Sequence, residues 1–123
     1  MRLHHVNIVC DAATQAQTIA FYTNVLGLKR VPKREGGRPT GAWFELPGGQ
    51  QIHLSLQEGS VPRNRAAEAH IALTVDDVDG LRHRMAQAGV PVEAARALAG
   101  IDRFFARDPA GNRLELTSAQ ADG

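Results

Sequence analysis

An internal repeat constrains this chain more than any other feature of its sequence. Gly27 and Gly89 stand 62 positions apart, as do Gly49 and Gly111, and His53 and Glu115. His5 and His70 are 65 apart, and the three extra positions fit a longer strand-to-helix loop at Asp11 to Ala13. Self-similarity at a fixed period marks a repeated supersecondary unit. The whole chain has 123 residues, the size of one domain, so each copy is half a domain.

The hydrophobic pattern fills in the unit. Val6, Ile8 and Cys10 alternate with His5, Asn7 and Val9, which predicts a half-buried strand over 5–10. A helix is predicted over 14–27. Thr14 and Gln17 have the spacing of a capping box, Ile19, Phe21, Val25 and Leu26 form the apolar stripe, and Gly27 stops it. Leu28 to Lys33 reads as an edge strand, because Pro32 cannot donate to a ladder. Strands over 40–46 and 51–57 flank Pro47–Gly48–Gly49 and should form a hairpin. Glu58 to Glu68 breaks every period and reads as a linker. The second half repeats the order: a strand over 69–75, then a helix capped by Asp76 or Asp77. Val78, Leu81, Met85 and Ala88 form its stripe, and Gly89 ends it. Strands over 92–95, 101–107 and 113–117 follow, the last two joined by the turn Asp108 to Asn112. The expected fold is α+β in a single domain, 1–123. It comprises two tandem βαβββ modules, 1–57 and 69–118, each with a mixed four-stranded sheet, a linker over 58–68 and a tail over 119–123.

Composition narrows the function classes. Fourteen basic and thirteen acidic residues leave a net charge of +1, with no overall field to drive nucleic-acid or membrane binding. A single cysteine, Cys10, rules out an internal disulfide framework, and its parity with Val6 and Ile8 predicts a buried, inert thiol. The apolar runs fall short of a membrane span, and MRLHHVNIVC lacks the pattern of a secretory leader. A cytoplasmic protein acting on a small molecule is the expectation.

Four residues at repeat-related strand positions carry the chemistry. His5 and His53 come from the first and fourth strands of unit one, His70 and Glu115 from the same strands of unit two. Each has apolar neighbours, so strand alternation aims all four away from the helices. A pseudo-twofold would point them at one place. Imidazoles and a carboxylate suit a borderline divalent ion: Zn, Ni, Fe, Mn or Co. Parity favours His5 over His4, which is expected to turn toward the helix side or fray. Trp43, Phe44, Phe104 and Phe105 divide between core and open face. Those on the open face, with Trp43 and Phe105 as candidates, would wall a substrate pocket. Arg103 and Arg107 share a face, and Arg103 is a candidate for orienting an anionic substrate. Asp76, Asp77 and Asp79 read as helix-cap and first-turn residues.

The segments HVNIVC…TIAFYTNVLGL…GAWFELPGGQQIHL and HIALTVDDVDGLRHRMAQAGV…DRFFARDPAGNRLEL resemble the vicinal oxygen chelate superfamily. It includes glyoxalase I, fosfomycin-resistance thiol transferases, extradiol dioxygenases and bleomycin-resistance proteins. The resemblance implies one metal ion held by His5, His70 and Glu115, with His53 at the fourth position, where glyoxalase I has a glutamate. It implies a homodimer with sites at the module interface. It further implies a glyoxalase-like lyase or isomerase, with Glu115 or His53 moving a proton. An Fe(II) dioxygenase and a non-catalytic resistance-type binding protein are the alternatives.

Overall fold

The computed structural model describes residues 1–61 and 69–120, so most of the expected linker lies outside the described residues. Two four-stranded sheets are built on one plan. In the first, β1 (His5–Cys10), β2 (Lys29–Val31), β3 (Ala42–Glu45) and β4 (Gln51–Leu56) lie in the order β1-β4-β3-β2. In the second, β5 (Ile71–Thr74), β6 (Val92–Ala94), β7 (Arg103–Arg107) and β8 (Arg113–Thr117) lie in the order β5-β8-β7-β6. The pairs β1–β4 and β5–β8 are parallel and the rest antiparallel, so both sheets are mixed, as expected of βαβββ modules. Helices α1 (Gln15–Ala20) and α2 (Val78–Gln87) make the crossovers that parallel pairing requires. No helix among the described residues is long and apolar enough to cross a membrane.

Alternation sorts each sheet into two faces. Ile8, Cys10, Phe44, Ile52 and Leu54 in the first sheet, and Phe104, Ala106, Leu114 and Leu116 in the second, belong to one continuous buried cluster. Phe21 and Tyr22 join it from the first crossover, and Val78, Leu81 and Met85 from α2. The opposite parity, with His5, Trp43, His53, Phe105 and Glu115, faces away from the helices.

Two local expectations are corrected. Thr14 makes no side-chain cap and Gln17 does not reach back. The Thr14 hydroxyl instead donates to Asp11 Oδ1 at 2.7 Å, and that oxygen also accepts from the Thr14 backbone N–H. A nearby buried carboxylate is a stronger acceptor than a glutamine amide, so it captures the threonine. The first helix also leaves the 3.6-residue period. Phe21–Val25 is a π-turn, with Leu26 N–H donating to Phe21 C=O at 3.1 Å. Phe21 and Tyr22, at the start of this wider turn, are both buried in the core. Asp77 caps α2 as expected, accepting from Gly80 N–H at 2.9 Å.

The modules are locked side by side. Asn112 Nδ2 donates to Val9 C=O at 3.0 Å and Arg84 Nη1 to Val25 C=O at 2.9 Å. Asp11 Oδ2 also accepts from the Val61 N–H at 2.9 Å, fixing the chain as it leaves the first module.

Candidate metal centre

Register places equivalent rows of side chains on the two open faces. In the first sheet the row is Val31, Trp43, His53 and Asn7. In the second it is Glu93, Phe105, Glu115 and Ala72. Trp43 and Phe105 are thus counterparts, as are His53 and Glu115. Phe44 and Phe104 pack into the core instead.

The first module's imidazoles form a stack. His53 lies between the Trp43 ring, parallel to it with centroids 4.0 Å apart, and the His5 ring, 3.9 Å away and tilted by 15°. These rings bury His53 although it is on the open face. Burial, assisted by the nearby charges of His5, His4 and Lys33, pulls its pKa below the ordinary histidine value. Gln51 Oε1 sits 2.8 Å from His53 Nε2. With that oxygen as acceptor, Nε2 carries the hydrogen and Nδ1 keeps a lone pair. His4 stands exposed before β1, its ring edge-on to His5 with the two Nδ1 atoms 2.9 Å apart, rather than turned toward the helices.

The second module's group is charged. Glu115 Oε1 lies 3.3 Å from His70 Nε2 and accepts from Arg103 Nη1 at 3.1 Å. Arg103 Nη2 donates to the Arg96 carbonyl at 2.8 Å, so the fork expected to meet a substrate is engaged on the protein. Among the described residues its Nε is buried without a hydrogen-bond partner. His70 meets Phe105 edge-on at 5.2 Å, and the Arg113 guanidinium lies 3.7 Å above the same ring. Arg107 shares the face but donates to the Gly111 carbonyl, within its own hairpin.

The structure therefore brings the expected donors together as two pairs, His5 with His53 and His70 with Glu115. No three metal-binding side chains gather in one place among the described residues. Gln51 and Arg113 were not singled out from the sequence. Each lies two residues before a candidate on the same strand, and that parity was the available signal. Cys10 is buried, and burial together with Asp11 and Asp108 raises its pKa, as an inert thiol requires.

A family model for the Glyoxalase/Bleomycin resistance protein/Dioxygenase superfamily matches residues 2–116. The chain belongs to that superfamily. An uncharacterized protein of Pseudomonas aeruginosa is 31% identical over 113 residues, spanning 85% of this chain and 81% of its own. A solved structure from Bacillus anthracis, described as a glyoxalase family protein, is 29% identical. It superposes with a TM-score of 0.81 over 95% of this chain and 93% of its own. A variant of the fosfomycin resistance protein FosX from Listeria monocytogenes, solved with Mn(II) and 1S,2S-dihydroxypropylphosphonic acid, has a TM-score of 0.76. At 17% identity, over 99% of this chain and 92% of its own, it shares the superfamily fold.

Proposed function

We propose that this superfamily member is a divalent-metal-dependent lyase or isomerase acting on a small molecule with two vicinal oxygens. His5, His70 and Glu115 would hold the ion, with His53 beside it. One observation carries the reading: the His5–His53 and His70–Glu115 pairs occupy equivalent positions on two sheet faces that the helices leave uncovered.

Two imidazoles and a carboxylate suit Zn, Ni, Fe, Mn or Co. Neither pair alone supplies three donors, and in this reading the site is completed when the open face of one module meets the other module's face on a second copy. A homodimer with two shared sites follows. The Mn(II) and vicinal diol bound by FosX agree with this chemistry.

Ring orientation divides the roles of the histidines. An imidazole lone pair lies in its ring plane, and the His5 and His53 planes are nearly parallel, 3.9 Å apart at their centroids. Stacked in that way, the two rings cannot both aim at one ion. His5 is therefore the donor, while His53, clamped by Trp43 and Gln51, accepts and returns a proton through Nδ1. When bound, the ion would supply Lewis acidity. Arg103 holds Oε1 of Glu115, which leaves Oε2 for the ion or for a second proton transfer.

The test is elemental analysis of protein purified without added metal or chelator. Turnover is then measured with the glutathione hemithioacetal of methylglyoxal, fosfomycin with several thiols, and catechols, each with Ni, Mn, Zn or Fe(II). Stoichiometric metal and turnover of the hemithioacetal support the proposal, whereas thiol addition to fosfomycin replaces it with a thiol transferase. Catechol cleavage with oxygen uptake replaces it with an extradiol dioxygenase. No metal under any condition replaces it with a binding protein.

A further inference from the structure

β2 and the segment joining it to β3 carry a charge that the chain as a whole conceals. Lys29, Arg30, Lys33, Arg34 and Arg38 fall within ten positions that hold one acid, Glu35. Both lysines of the chain are among them. None of the five makes an ion pair among the described residues, although Glu45 stands opposite Lys29 in register. Lys29, Arg30, Arg34 and Arg38 are exposed. Lys33 Nζ donates to the carbonyls of Arg38 and Thr40, drawing the loop's two ends together. Partial burial, with Arg38 and Arg30 adding to it, lowers the Lys33 pKa, so these cations crowd one another.

The loop adjoins the candidate site. Val31 is in register with Trp43, and Trp43 with His53. Lys29 shares the parity of Val31, which places it on the open-face side of the edge strand, and the Lys33 charge lies near enough to His53 to act on it. Uncompensated cations at the rim of a binding face imply an anion of high charge density. A phosphoryl group supplies about two charges and three acceptor oxygens, enough to engage several cations at once, whereas a lone carboxylate is saturated by one arginine fork.

We propose that the Lys29–Arg38 segment, the edge strand β2 and the loop after it, binds the phosphate or pyrophosphate group of the substrate, whose reacting end lies at Trp43 and His53. The substrate is then a phosphorylated small molecule. This rests on the metal-site reading for the location of the reacting end but not for the anion site itself.

Inorganic pyrophosphate is the probe, titrated into the full chain as purified. Binding is followed by calorimetry and by the fluorescence of Trp43, the only tryptophan. The metal content of the same sample is measured in parallel. Saturable binding is expected, weakening as salt is raised. The dissociation constant should rise at least tenfold in Arg34→Gln/Arg38→Gln, whose exposed side chains make the fold insensitive to the change. Lys29→Gln should weaken binding in the same direction. Absence of saturable binding overturns the proposal, as does binding unchanged in the double variant. Binding that needs bound metal and survives the charge removal also overturns it, because pyrophosphate would then sit on the ion. Tenfold tighter binding to a single-stranded oligonucleotide or to anionic vesicles would assign the loop to a macromolecule instead. Metal-free protein that still binds pyrophosphate through these residues leaves the proposal standing while the metal reading falls.

Discussion

Tyr22 of the first module donates a 2.7 Å hydrogen bond to Oδ2 of Asp108 in the second. The same oxygen accepts from Asn112 Nδ2 at 2.8 Å, and Oδ1 accepts from the backbone N–H groups of Ala110 and Asn112. Asn112 also reaches Val9, so one buried carboxylate ties the hairpin turn of the second module to both the first crossover and the first strand. Tyr22→Phe keeps the ring and removes one donor to a charged acceptor. It should destabilise the protein by about 1.5–3 kcal/mol, read as a lower urea midpoint at unchanged slope.

Burial pushes the Asp108 pKa above its usual 3.8, and its hydrogen-bond donors only partly oppose this. The folded state therefore takes up this proton more readily than the unfolded chain. The stability contribution is fully present below 3.8 and is lost as pH rises through the folded value. Asp108→Asn has no such proton. Wild type should gain stability relative to this variant on acidification through that window, by at most about 1.4 kcal/mol per pH unit. A flat difference in denaturation midpoints from neutral pH to pH 3.8 would contradict the assignment.

Gly41 and Gly27 separate crowding from backbone strain. Both have positive φ, +73° and +70°. A Cβ at Gly41 would lie 2.0 Å from the Leu54 carbonyl oxygen, whereas one at Gly27 meets nothing within 4 Å. Gly27→Ala should cost about 1–2 kcal/mol, the left-handed penalty alone. Gly41→Ala should cost more than about 3 kcal/mol, because it also forces β3 from β4. Thermal denaturation of the two variants tests the order.

Arg103 holds Glu115 from inside the sheet face. Under the proposed function, Arg103→Gln should weaken metal affinity about 10–100-fold, measured by competition with a chelator. His53→Ala should retain the metal and lose turnover, since His53 is placed beside the donor set and not in it. Loss of metal from His53→Ala would return this residue to the ligands.

Much of this architecture was legible because it is local or periodic. Alternation in β1 separates Val6, Ile8 and Cys10 from His5, and the 62-residue offset pairs His53 with Glu115 before any coordinate is known. Both are properties of a pleated strand used twice. The features that escaped depend on how pieces dock. Asp11 takes Thr14 from its expected cap, and the π-turn begins at Phe21 and Tyr22, both of them buried in the core. Arg103 has a sequence parity that points to a ligand, yet only its packing against Arg96 and Glu115 reveals that its fork is occupied.

The side-by-side locking of the modules has a genetic consequence. In the proposed dimer each site takes its imidazole stack from one chain and its carboxylate from the other. A chain carrying His5→Ala and His53→Ala, and another carrying His70→Ala and Glu115→Ala, would each be inert as homodimers. Co-refolded in equal amounts, they would rebuild one whole site in every mixed dimer, restoring roughly a quarter of the sites by random pairing. Two dead alleles would complement each other within a single enzyme.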